Sequence, residues 1–138
     1  MESNSSTEIK YYEIPVLSNY ILDKRKQLSS DEDTDIYLGI EKDTEKNVVF
    51  KLKKINHGSH YIRQESLIYM ELTGMKRIPK MLAFGQQGEY NILVLELLGQ
   101  SLKMLLKFVG GKFSLGTTLK VSIQILNIIK KIHKSELF

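Results

Sequence analysis

Among the 138 residues of this sequence, the two best placed to do chemistry together are Lys51 and Glu65. Lys51 lies in Val48-Val49-Phe50-Lys51-Leu52-Lys53-Lys54-Ile55, whose β-branched and aromatic content reads as a strand. Alternation puts Lys51 on one face with Val49 and Lys53, and Val48, Phe50 and Leu52 on the other. Glu65 falls in the helical stretch from His60 to Thr73, where Tyr61, Glu65, Ile68 and Leu72 share one face. A carboxylate on an apolar face needs a cationic partner, because an unpaired buried charge is very costly. Lys51 is one candidate; the alternative is that Lys51 reaches solvent and Glu65 sits at the edge of its face. The remaining chemistry-bearing types are thinner. His57, His60 and His133 are scattered without zinc spacing, and with no Cys neither disulfides nor thiolate metal sites are possible. Asp31, Glu32 and Asp33 share a polar connection that offers no setting for a general acid or base.

The elements that must position these residues follow from pattern. Residues 1–18 read as a polar tail followed by a short extended segment around Pro15. Strands are expected at Asn19–Leu28, Asp35–Ile40 and Val48–Ile55, joined by Ser29–Thr34 and by the charged turn Glu41–Asn47. A break at Asn56–Ser59 precedes the helix, for which Gly74 is a natural stop. Met81–Gln86 and Tyr90–Glu96 read as a hairpin turning at Gln87-Gly88-Glu89. The apolar run Tyr90–Leu98 ends at Gly99 and hands over to a short helix, Ser101–Val109, at a seam of the kind where ligands often sit. Gly110-Gly111 breaks that helix, and Ser114 is a good N-cap for a long one from Leu115 to Lys134. Five strands with one helix between the third and fourth, then helices only, predict an α+β unit followed by the start of an all-α one.

Composition sets outer bounds. At 42% hydrophobic and 26% charged the chain resembles an ordinary globular domain. No apolar run is long enough to cross a bilayer, and the N-terminus Met1-Glu2-Ser3-Asn4 carries no signal-peptide pattern. With the absence of Cys, this points to an intracellular setting, cytoplasm or nucleus, and to no membrane partner. The net charge of +4 reads as a solvated surface rather than a nucleic-acid footprint.

Several stretches carry words of one family. Glu96-Leu97-Leu98-Gly99-Gln100-Ser101-Leu102 followed by Lys112-Phe113-Ser114-Leu115 resembles the hinge of the casein kinase I family of serine/threonine protein kinases. Val48-Val49-Phe50-Lys51 is similar to the kinase Val-Ala-Ile-Lys, and Gln64-Glu65-Ser66 with Ile68-Tyr69 to the family's Glu-Ser-Lys-Ile-Tyr. Gly74, Ile78-Pro79, Gly85, Gly88 and Tyr90-Asn91 fall in register, so the likeness runs from about Tyr20 to Phe138. It implies a kinase-like small lobe at 19–96, with a five-stranded antiparallel sheet and one helix. A hinge at 97–100 and the first two helices of the large lobe at 101–138 would follow. It implies that Lys51 and Glu65 pair and position the phosphates of ATP, the cofactor taken with magnesium. By the same likeness Leu95 is the gatekeeper, Glu96, Leu97 and Leu98 run beside adenine, and Leu28, Ile36 and Val49 complete the purine site.

Three departures bear on activity. The family's three loop glycines align with Ser29, Asp31 and Thr34, and Asp31, Glu32 and Asp33 put carboxylates where a polyanion should lie, so ATP is expected to bind weakly or not at all. Val49 replaces the usual Ala and crowds adenine. Neither His-Arg-Asp nor Asp-Phe-Gly follows Lys131–Phe138, so these residues alone are expected not to transfer phosphate. The alternative expectation is a non-catalytic, pseudokinase-type module that binds a protein partner. On the long helix, Leu115, Leu119, Ile123, Leu126 and Ile129 form one apolar stripe, and Val121, Ile125, Ile128 and Ile132 a second. Two stripes predict self-association or a partner, driven by the second.

Overall fold

A computed structural model describes residues 12–13, 18–55 and 61–135. The polar tail at 1–8, the break at 56–59 and the helix start at His60 lie outside the described residues. Strands β1 (Tyr12–Glu13), β2 (Tyr20–Ser30), β3 (Thr34–Glu41) and β4 (Asn47–Lys54) precede helix α1 (Tyr61–Glu71). Strands β5 (Met81–Gln87) and β6 (Tyr90–Glu96) follow, then helices α2 (Leu102–Phe108) and α3 (Leu115–Lys134). Every strand pair is antiparallel, and the sheet order is β1-β2-β3-β4-β6-β5. The α+β reading holds, with five long strands where five were expected. The sixth, β1, pairs Tyr12 with Leu22 and Glu13 with Ile21 at the edge. Two residues joined through main chain leave no side-chain alternation to read.

One face of the sheet carries the core. Leu22, Val48, Phe50, Ile92 and Val94 are buried together, with Tyr20, Tyr37, Leu52, Ala83 and Tyr90 packed around them. These are the alternate positions that strand pleating assigns to one side. Gly39 stands between Leu22 and Val48 in the ladder. A Cβ there would come 2.2 Å from Phe50 Cε2 and 2.4 Å from the Ile21 carbonyl oxygen, so only glycine lets Phe50 lie flat on β3.

The opposite face carries α1, which contacts β5 and β6. Ile62, Ser66 and Leu72 are buried there, while Ile68 is 41% exposed. The inward face of α1 is therefore rotated from the expected one by less than one residue's step: Glu65 and Leu72 remain on it, and Ile68 leaves it. Ser66 explains the shift. Its Oγ donates to the Arg63 carbonyl at 2.7 Å, which satisfies the hydroxyl locally and lets a nominally polar residue pack inward. Gly74 ends the helical segment at φ +86°, a left-handed stop as expected.

The first connection differs from expectation. Ser29 and Ser30 continue β2, pairing with Ile36 and Asp35, and Thr34 opens β3, so only Asp31, Glu32 and Asp33 form the turn. The Asp31 amide donates to the Thr34 carbonyl at 2.8 Å, and Ser30 Oγ and Gln27 Nε2 donate to Asp35 Oδ1 at 2.6 and 3.0 Å. Side-chain polarity suggested a loop, but these side chains satisfy one another along a hairpin.

Ser101 and Ser114 cap α2 and α3, accepting from the Met104 and Thr117 amides at 3.2 Å each. Neither helix buries a residue. On α3 the Leu115, Leu119, Ile123, Leu126 and Ile129 stripe is exposed, whereas in the second stripe Val121, Ile128 and Ile132 are half-buried and Ile125 is exposed. The more open stripe is thus the first of the two, not the second. Among the described residues, no helix is long and apolar enough to cross a membrane.

Candidate functional site

Lys51 and Glu65 meet. Lys51 Nζ donates to Glu65 Oε2 at 2.7 Å and to Oε1 at 2.9 Å, a two-pronged charge-assisted contact between β4 and α1. Their side chains are 28% and 32% exposed, so the pair lies at the rim of the α1 face with water alongside. The alternation of β4 turns Lys51 toward the helix, and the position of Glu65 on α1 brings the carboxylate down to it.

Register places the rest. Ile36, Lys51 and Leu93 stand side by side across β3, β4 and β6; Leu38, Val49 and Leu95 form the adjacent row on the same face. Ile36, Val49, Lys51, Glu65 and Leu95 are therefore brought to one surface: a half-buried apolar floor with an ion pair at its edge. Leu28 is not enclosed with them. It lies at an irregularity in the β2–β3 register and is 54% exposed. Leu97 and Leu98 are exposed in the unpaired segment after β6. Glu96 pairs with Val48 on the other side of the pleat and forms a clasp: its Oε1 accepts from the Lys80 amide and its own amide donates to the Lys80 carbonyl, both at 3.0 Å.

Pattern reading missed Leu93, fully buried behind Lys51, and Leu38, which extends the floor beside Val49. A consistent period-2 reading of all three strands would have found both. Tyr69, one turn beyond Glu65, is half-buried; burial first, and the Glu65 charge second, push its phenol above the ordinary tyrosine range. No isolated sequence signal marks it.

The turn carboxylates Asp31, Glu32 and Asp33 are exposed. Among the described residues, no three His, Asp or Glu side chains converge to hold a metal ion. No protein-family model matches the chain.

Proposed function

We propose that this chain is the nucleotide-facing half of a casein kinase I-like serine/threonine protein kinase. The observation that carries the reading is the 2.7 Å Lys51–Glu65 pair beside the Ile36, Val49 and Leu95 floor. Supporting it are the element order, with one helix between the third and fourth long strands, and the unpaired segment after β6 at the expected hinge.

On this reading the apolar floor takes the adenine ring and Lys51, oriented by Glu65, meets phosphate. The hairpin tip opposes phosphate. Its Asp31 amide is spent on Thr34, and its three carboxylates face solvent where a polyanion would approach. Two like charges at ~4 Å repel by about 1 kcal/mol in water, so the triphosphate adds little to binding. The 138 residues contain neither His-Arg-Asp nor Asp-Phe-Gly, and phosphoryl transfer depends on such positioning and metal-holding groups, so these residues alone bind without turning over. Calorimetric titration with adenosine and with ATP tests the reading. Both should bind in the high-micromolar to millimolar range with similar affinity; micromolar ATP affinity with a large preference over adenosine would overturn the hairpin argument.

A second reading, a non-catalytic module that binds a protein partner, is favoured by the exposed Leu115–Ile129 stripe of α3. The two readings are compatible within one chain.

A further inference from the structure

A groove of about 590 Å³ opens between the C-terminal end of α1, the segment before β5, and the clasp at Glu96. Its walls are Tyr69, Leu72, Met75, Ile78, Pro79 and Met81, and three cations, Lys76, Arg77 and Lys80, line it too. This volume lies in the range of pockets that enclose a ligand or a few peptide side chains. None of Ile36, Val49, Lys51, Glu65 and Leu95, which form the floor described above, lines it; Leu98, beyond β6, does.

Three features describe the occupant. The first is charge. Lys76, Arg77 and Lys80 are exposed, and among the described residues none forms an ion pair. The one acid in the groove, Glu96, is already engaged by the Lys80 amide. The second is an open sheet edge. Among the described residues β5 is the terminal strand, and one row of its amide and carbonyl groups has no strand partner there. Met81 and Leu82, at the irregular start of β5 where the register with β6 shifts, both line the groove, so it borders that edge. The third is Tyr69, a half-buried tyrosine in the groove wall whose phenol can donate or accept a hydrogen bond.

We infer that this groove docks an extended segment of a partner protein in which large apolar residues are flanked by Asp or Glu. The segment adds along the β5 edge through main-chain hydrogen bonds, seats its apolar side chains against Leu72, Ile78 and Met81, and sets its carboxylates against Lys76, Arg77 and Lys80. Arg77 presents its side chain from φ +73°, a conformation glycine adopts without strain, so Arg77→Gly removes the charge at no conformational cost.

The test is fluorescence anisotropy on the nucleotide-free chain, so that its outcome is independent of nucleotide binding. The probes are labelled, acetylated hexapeptides with two adjacent Leu, Ile or Phe residues flanked by Asp or Glu. Saturable binding is expected, weakened at least tenfold by Lys76→Gln/Arg77→Gly/Lys80→Gln, weakened by added salt, and absent when the apolar pair becomes Ala. Circular dichroism should show the triple variant folded like the parent. Three results would each overturn the inference: no saturable binding up to millimolar peptide, binding unchanged in the triple variant, or equal binding of peptides with Lys in place of the acids. Cation-dependent binding to phosphatidylserine vesicles without peptide binding would also overturn it, in favour of a lipid surface.

Discussion

Lys51 and Glu65 each keep roughly a third of their side-chain surface in water, so their pairing orients more than it stabilises. Partly exposed ion pairs contribute about 0–1 kcal/mol. Lys51→Met should therefore leave the thermal midpoint almost unchanged and still abolish whatever advantage ATP has over adenosine, as read by paired calorimetric titrations. Gly39 is the opposite case: no ligand role and a large structural one. Overpacking typically costs about 1–3 kcal/mol, and Gly39→Ala, with Phe50 and the Ile21 carbonyl in the way, belongs at or above the top of that range by urea unfolding. Tyr20, Tyr37 and Tyr69 are all pushed above the ordinary tyrosine range, chiefly by burial. A phenol whose pKa is raised on folding favours the folded state below the unfolded value near 10, and that contribution is lost as pH climbs through the folded value. Absorbance at the phenolate band should show these tyrosines ionising late, with stability declining above about pH 10. At this scale the sequence was legible where one residue's role followed from two patterns at once, as with Lys51 on a strand face and Glu65 on a helix face. It was opaque at Ser66, whose burial depends on a hydrogen bond to Arg63 that composition does not record.

Strands and helices were readable because their side chains alternate or recur, and their cores fell within a residue or two of expectation. The β2–β3 connection was not, because Ser, Asp and Thr favour turns by themselves yet here pair across a hairpin. That alters how the hairpin should respond to change. Ser29→Gly and Thr34→Gly now weaken paired strands instead of freeing a loop, whereas neutralising the turn leaves the ladder intact. Asp31→Asn/Glu32→Gln/Asp33→Asn should tighten ATP while leaving adenosine unchanged. Removing one to two like-charge repulsions of about 1 kcal/mol corresponds to five- to thirtyfold in affinity. Equal ATP affinity in this variant and the parent would show that the turn never meets phosphate. The rotation of α1 is a second illustration: apolar spacing located the helix and its stop at Gly74, but not which side of Ile68 the sheet would take.

Charge divides the whole molecule. Residues 101–135 hold seven Lys and no Arg, Asp or Glu, while the other positions carry thirteen Lys and Arg against sixteen Asp and Glu. An exposed apolar stripe on so basic a segment favours association but resists it electrostatically, so self-association through α3 should grow with ionic strength as the lysines are screened. Sedimentation at 50 and 500 mM salt checks this, and Ile123→Lys/Leu126→Lys should keep the chain monomeric at both. A monomer at high concentration in both salts, with α3 protected from hydrogen exchange, would contradict the expectation. The most direct test of the central claim, that the Lys51 face receives adenine, is an amide chemical-shift map of the chain titrated with adenosine. Saturable shifts should centre on Ile36, Val49, Lys51 and Leu95 and vanish in Val49→Trp, which fills the floor. Shifts confined to the Tyr69–Lys80 groove, or none at millimolar adenosine, would contradict it.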